Sequence, residues 1–307
     1  MAKLAAPARD EMIQDITKLT DTVDIFRAIL ETLEVLKLDL ANTLIAMIRP
    51  HVQKESVQYE RAKFDELLKV SEDGLQYTKE WLQRNIDKTG LSIPVTDPNI
   101  IRNVTAQTLA KAYLELLEWD STKNYPETVA LDSSRFSELG TQVYRLICVA
   151  SIMLVSPSCG NDASSTAQKQ QLKEKVVIIL DNASNDIELK SILPSVAEEV
   201  IAFTDQLLEG MDQDGLSADT KELIRTQIVS LGDPEHRVRQ IVRQRILEFL
   251  KMILVCAGGS RQIPVGLSLV TKELTAASGT LLRYVMHNKA VFTNHYLDIV
   301  AAELSKP

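Results

Sequence analysis

DTVDIFRAILETLEVLKLDLANTLIAMIR, residues Asp21–Arg49, decides the fold class. Its aliphatic side chains at Ile25, Ile29, Leu33, Leu36, Leu40, Leu44 and Met47 recur in steps of 4, 4, 3, 4, 4 and 3. That is the rhythm of an α-helix, held here for about seven turns. Asp21 has the chemistry of an N-cap, because its carboxylate can accept from the backbone N–H groups that the first turn leaves unpaired. Asp24 adds negative charge where the helix dipole favours it. Pro50 predicts the helix end, since its ring collides with the carbonyl four residues back. A helix this long is expected to be the central strut of the fold.

Outward from it the same rhythm returns in shorter lengths. A helix is expected over Arg9–Leu19, a charged one over Val52–Val70 and another over Leu75–Ile86. Asp87–Pro98 reads as a loop whose Asp-Pro end fits N-cap and first turn of the next helix, which runs to Trp119. Asp132–Val155 carries a stripe of Phe136, Leu139, Val143, Leu146, Ile147, Ala150 and Leu154. Ser165 to Gln168 has capping-box spacing, and Val176–Leu180 reads as a buried helix end. Further helices are expected over Ile187–Leu193, Pro194–Glu209, Ser217–Leu231 and Pro234–Ala257, then from Pro264 to Leu304 with a break near Asn288 or Asn294. The fold class is therefore all-α, a compact bundle of about a dozen helices with no regular repeat. The chain, residues 1–307, reads as one domain, with two lobes hinged near Ser156–Ser165 as the alternative.

Composition agrees. Of 307 residues, 45% are hydrophobic and 25% charged, and only 5% are aromatic, so the core is built from aliphatic side chains that suit helix packing. The net charge of −8 repels nucleic acid and anionic lipid unless a local basic patch overrides it. The cysteines Cys148, Cys159 and Cys256 are odd in number and widely spaced, which predicts reduced thiols packed as small hydrophobes. The start of the chain lacks an apolar signal core, and Leu146–Val155 is half the length a membrane span requires. A cytoplasmic location is expected.

No catalytic constellation is visible. His51, His236, His287 and His295 are scattered and none has a second ligand at metal-binding spacing. Asp212-Gln213-Asp214-Gly215 resembles part of a calcium loop, but Lys221 stands where the bidentate Glu belongs. Gly258-Gly259-Ser260 follows a helix rather than opening one, which suits a helix C-terminus and not a phosphate cradle. No enzyme, metal or cofactor is implied. One feature opposes the chain's overall sign: Arg237, Arg239, Arg243 and Arg245 crowd the start of one helix, where the dipole disfavours cations. They either pair with Asp or Glu of neighbouring helices or form a surface for an acidic partner, anionic lipid or nucleic acid. With 42 acidic residues in the chain, internal pairing is the commoner outcome.

LKLDLAN (Leu36–Asn42), Arg49-Pro50 and ES-x-x-YERAKF (Glu55–Phe64) resemble the t-complex protein 11 family, and the similarity extends more weakly along most of the chain. That family includes testis-expressed proteins, widely expressed relatives and a fungal protein kinase A suppressor. The resemblance implies a non-enzymatic scaffold or regulatory adaptor acting through other proteins. It further implies cAMP and protein kinase A signalling, and in testis-specific members sperm flagellar function. It carries no catalytic or cofactor residues. Family members usually have a further N-terminal region, so a longer parent chain is expected. Asp39, Asn42 and Arg49 on the long helix, with Glu60 and Arg61 on the next, are expected to form a structural polar network across a helical hairpin.

Overall fold

Asp21 caps the long helix as its chemistry requires: its Oδ2 accepts from the backbone N–H of Val23 at 3.0 Å and of Asp24 at 3.1 Å. The computed structural model describes residues 7–71, 74–90, 94–157, 163–211, 213–256 and 262–306. Among these the regular structure is entirely helical, with ten α-helices and five short 3-10 turns. The chain divides into two compact units, Met1–Glu66 and Leu67–Pro307. Residues on both sides of Ser156–Ser165 fall in the second unit, and 158–162 lie outside the described residues.

The first unit contains α1 (Asp10–Lys18) and most of α2 (Thr22–Val70). Arg9, in the 3-10 turn before α1, donates from Nε to Asp39 Oδ2 at 2.8 Å and from Nη2 to Oδ1 at 3.1 Å. This fork ties residues 30 apart in the chain and holds the turn before α1 to α2. On α2, Ile25, Ile29 and Leu36 are half-buried and only Thr32 is buried. Leu33, Leu40, Leu44 and Met47 of the expected stripe are exposed. The strut expected at the centre of the core thus has only part of its stripe covered.

α2 also runs through Pro50 for 49 residues, where a helix end and a separate Val52–Val70 helix were expected. A proline inside a helix costs about 3 kcal/mol and one hydrogen bond. Side chains from Ala41 to Glu55 are all exposed, so packing does not offset that cost; the Leu, Ala, Met, Gln, Lys and Glu residues on either side do so through helix propensity.

The second unit is built around α5 (Ser133–Val155). It packs against α9 (Arg237–Val255), α10 (Thr271–Leu304), α6 (Ala163–Ile179) and α8 (Ala218–Ser230). α3 (Gln76–Asn85) and α4 (Pro98–Glu115) join α10, and α7 (Asp186–Glu209) packs between α6 and α8. Phe136, Leu139, Val143, Leu146, Ile147 and Ala150 are buried as expected, while Leu154 is 46% exposed. By length and composition Glu127–Val155 could cross a membrane, but 61% of its most apolar stretch is buried in the fold, so the apolarity belongs to the core. Gly140 is required where α5 crosses the turn after α4: a Cβ there would lie 2.3 Å from the Leu117 carbonyl oxygen.

Other helix limits depart from the sequence reading for local reasons. α7 continues through Pro194, held by buried Leu193, Val196 and Ala197 on either side. α9 begins at Arg237 and not Asp233-Pro234. Asp233 turns its carboxylate to the Glu235 N–H at 3.0 Å, and His236 Nδ1 accepts from Val238 N–H at 3.3 Å. Ser165 lies inside α6, which begins at Ala163, and Gly258–Ser260 lie outside the described residues. The cap at Asp97, with Pro98 in the first turn, is as expected, and Asp97 Oδ1 accepts from Asn99 N–H at 2.8 Å. Cys148 is buried, Cys256 is exposed, and Cys159 lies outside the described residues.

α10 does not break at Asn288. A mid-helix Asn weakens a helix when it bonds its own backbone; this one points elsewhere. Its Oδ1 accepts from Tyr113 Oη at 2.7 Å and Tyr296 Oη at 2.6 Å, and its Nδ2 donates to the Thr128 carbonyl at 2.6 Å. Trp81 stands edge-on to both tyrosines, with centroids 5.6 and 6.2 Å away. Thr128 meets Thr78, whose α3 has no cap of its own. Glu127 supplies it from 50 residues away, accepting from Tyr77 N–H at 2.9 Å and Thr78 N–H at 2.7 Å. We expect Asn288→Leu to orphan two buried hydroxyls and a carbonyl, lowering unfolding free energy by about 3 kcal/mol in urea titration.

Candidate interaction surfaces

The four arginines of α9 follow the helix around, so they cannot share one face. Arg239, 7% exposed, turns inward: its Nη2 donates to Asp186 Oδ1, and its guanidinium lies 5.2 Å from the Tyr144 ring centre. Tyr144 Oη donates to the same Asp186 oxygen at 2.8 Å. Burial opposes ionisation of Asp186, but hydrogen bonds from Arg239 and Tyr144 win and hold its pKa below the ordinary value. Burial pushes the neighbouring Cys148 thiol up to about 11, so it is a packed and unreactive group. Arg243 grips both carboxylate oxygens of Glu118, with Nε at 2.7 Å from Oε1. Arg245 donates to the Val265 carbonyl at 2.8 Å. Arg237 is exposed, with no side-chain partner among the described residues.

Three of the four cations are therefore engaged inside the fold. What remains on the outer face of α9 is a shallow groove of about 540 Å³, lined by Arg237, Gln240, Ile241, Gln244, Leu247 and Lys251 among others. A second cleft of about 630 Å³ is lined by hydroxyl-bearing Tyr125, Ser133, Ser137, Thr141 and Tyr144 beside Trp119. Neither brings together a nucleophile, a base and an orienting acid of the kind acyl or phosphoryl transfer needs. No group of three or more metal-binding side chains occurs among the described residues.

The family-motif residues lie along one helix, not across a hairpin. Asp39 to Glu60 is 21 residues, about 32 Å of helix, so Asp39 and Asn42 cannot touch Glu60 or Arg61 within it. Asp39 pairs with Arg9, whose guanidinium hydrogen bond lowers its pKa. Asn42 and Arg49 are exposed, Glu60 is half-buried and Arg61 exposed.

An exposed apolar surface on α2 was missed in the sequence. α2 exposes Phe26, Leu30, Leu38, Leu40, Ile45, Met47, Ile48 and Val52, each by more than half. A helix apolar on all sides is normally buried on all sides, and soluble monomers rarely leave so continuous an apolar strip uncovered. The signal was present: Phe26, Leu30 and Leu38 lie off the first stripe, on faces that a surface helix would make polar.

The family model described as T-complex protein 11 matches residues 1–301. The chain is 32% identical to the T-complex protein 11 homolog of Homo sapiens over 99% of this chain and 65% of that protein. It is 30% identical to T-complex protein 11 of Mus musculus, over 99% of this chain and 57% of that one. It is 21% identical to Protein SOK1 of Saccharomyces cerevisiae, over 74% of this chain and 28% of the yeast protein. The chain thus spans roughly three fifths of the length of the first two relatives. No solved structure matches it.

The two ion-paired arginines, Arg239 and Arg243, should behave differently in urea unfolding. Arg239→Ala removes the buried partner of Asp186 and should cost about 2–3 kcal/mol. Arg243→Ala opens a half-exposed pair and should cost less than about 1 kcal/mol. Because Asp186 has a lower pKa folded than unfolded, its stabilisation is complete above the ordinary carboxylate value and lost as pH falls through the folded one. The stability gap between wild type and Asp186→Asn should therefore narrow on acidification below about pH 4.

Proposed function

The chain belongs to the T-complex protein 11 family, and from that premise we propose that it is a non-enzymatic regulatory adaptor working through protein–protein contact in cAMP and protein kinase A signalling. The observation that carries the reading is the exposed apolar surface of α2, which lies within the residues the family model matches. Such a surface gains free energy when a partner covers it, at about 25 cal/mol per Å² of apolar area. The engaged charges of α9 point the same way, because Arg239, Arg243 and Arg245 already hold partners within the fold and offer little to lipid or nucleic acid. The signalling context is supported by the resemblance to a family that includes a fungal protein kinase A suppressor. The site of action is the cytoplasm, and the sperm flagellum for testis-specific members.

Expressed in cultured cells, the chain should alter phosphorylation of protein kinase A substrates after adenylyl cyclase is stimulated. Leu38→Glu with Ile45→Glu, two exposed positions of α2, should abolish that effect while leaving helical content by circular dichroism unchanged. No change with the wild-type chain would remove it from this pathway. A full effect from the double variant would remove α2 as the contact surface, and turnover of a substrate by the purified chain would overturn the adaptor role.

A further inference from the structure

One stripe of α2 has a period of its own. Val23, Phe26, Leu30, Leu33, Lys37, Leu40, Leu44 and Met47 alternate strictly in steps of three and four. That averages 3.5 residues, the spacing of a heptad seam that another helix covers by supercoiling. All of these positions except Lys37 carry a large apolar side chain, 40–67% exposed. The seam stops at both ends: Asp21 caps the helix just before Val23, and past Met47 the next two seam positions are His51 and Lys54, beyond Pro50.

The one polar position selects the occupant and its direction. Lys37 lies with Glu34 of its own helix, Nζ to Oε1 at 2.7 Å, with both side chains over 70% exposed. Two parallel copies would set Lys37 against Lys37 inside an apolar seam. Two antiparallel copies crossing at Val35 set Val23 against Met47, Phe26 against Leu44, Leu30 against Leu40 and Leu33 against Lys37. Each Lys37 then stands one residue from the partner's Glu34, so the charges are complementary. A single lysine in a seam fixes register in this way. At roughly 100 Å² per apolar seam residue, with the flanking residues added, each copy buries an area near the ~800 Å² per partner of a stable interface.

We propose that α2 is a self-association surface, two copies pairing antiparallel through the Val23–Met47 seam with the crossing at Val35. This names the partner for part of the apolar surface on which the adaptor reading rests, and its test is independent of any signalling effect.

The full chain, at roughly 10–100 µM, should run as a dimer in size-exclusion chromatography with light scattering. Leu30→Glu with Leu40→Glu should weaken self-association by about 100-fold or more. Should that variant fail to fold, Lys37→Leu supplies the opposite arm: it fills the seam and should tighten the dimer by about tenfold. Direction is read by oxidation in a Cys159→Ser, Cys256→Ser background. Leu30→Cys with Leu40→Cys should give covalent dimers, and neither cysteine alone should. A monomer across that concentration range overturns the proposal, as does unchanged association in both seam variants. Crosslinking by Leu30→Cys alone overturns the antiparallel arrangement. A monomer whose Leu38→Glu, Ile45→Glu variant still loses the signalling effect would sink self-association and leave the adaptor role standing.

Discussion

The second unit depends on a buried carboxamide that cannot be left half-satisfied. Asn288 sits in α10 and engages Tyr113 of α4, Tyr296 of its own helix and the Thr128 carbonyl in the turn before α5. Residues 113, 128 and 288 come from distant parts of the sequence, so these bonds exist only when α4, α10 and the intervening turn are all in place. A polar group with no water to fall back on makes any other arrangement of these helices expensive. The aliphatic core supplies most of the driving force, whereas this node selects one packing among the many that an aliphatic core would tolerate. Glu127, adjacent to Thr128, extends the same constraint to α3 by capping it from outside.

The first unit obeys a different constraint. α2 has more apolar surface than one neighbour can cover, and its contact with the start of the chain is fixed by a half-exposed Arg9–Asp39 fork. Exposed ion pairs contribute little, so a partner covering the remaining stripe would add to the stability of this unit. Its stability and its partner's affinity are then linked, since a ligand that binds only the folded form adds to folding free energy.

Fold class was legible because a 3.6-residue rhythm and the Asp21 and Asp97 caps are local properties of the chain. The continuations through Pro50 and Pro194 were not, because a proline gives the same local signal whether a helix ends or bends there. Asn288 was misread for a related reason: a mid-helix Asn predicts a break unless its partners are known, and Tyr113 and Thr128 lie 160 or more residues away. The arginines of α9 were visible as an anomaly of sign. Their resolution required Asp186 and Glu118, which sequence proximity does not indicate. On α2, the stripe chosen from the sequence mixed residues of two faces. Ile25, Ile29 and Leu36 belong to the half-buried face, while Leu33, Leu40, Leu44 and Met47 belong to the exposed heptad seam. Periods of 3.6 and 3.5 differ by only about 20° per heptad, too little to separate two stripes until accessibility divides them.

That separation bears on how recognition by this protein would respond to its surroundings. A surface built from arginines binds through long-range charge, and its affinity collapses with salt. Here three of the four arginines are engaged within the fold, and the net charge of −8 works against anionic partners. An aliphatic seam has no long-range field; it acts at contact, with a negative heat-capacity change as its mark and little dependence on ionic strength. Lys37 adds direction to that seam without adding much energy. Three of the four α9 arginines thus serve internal order, and a partner of the uncovered α2 stripe would be chosen by shape and periodicity.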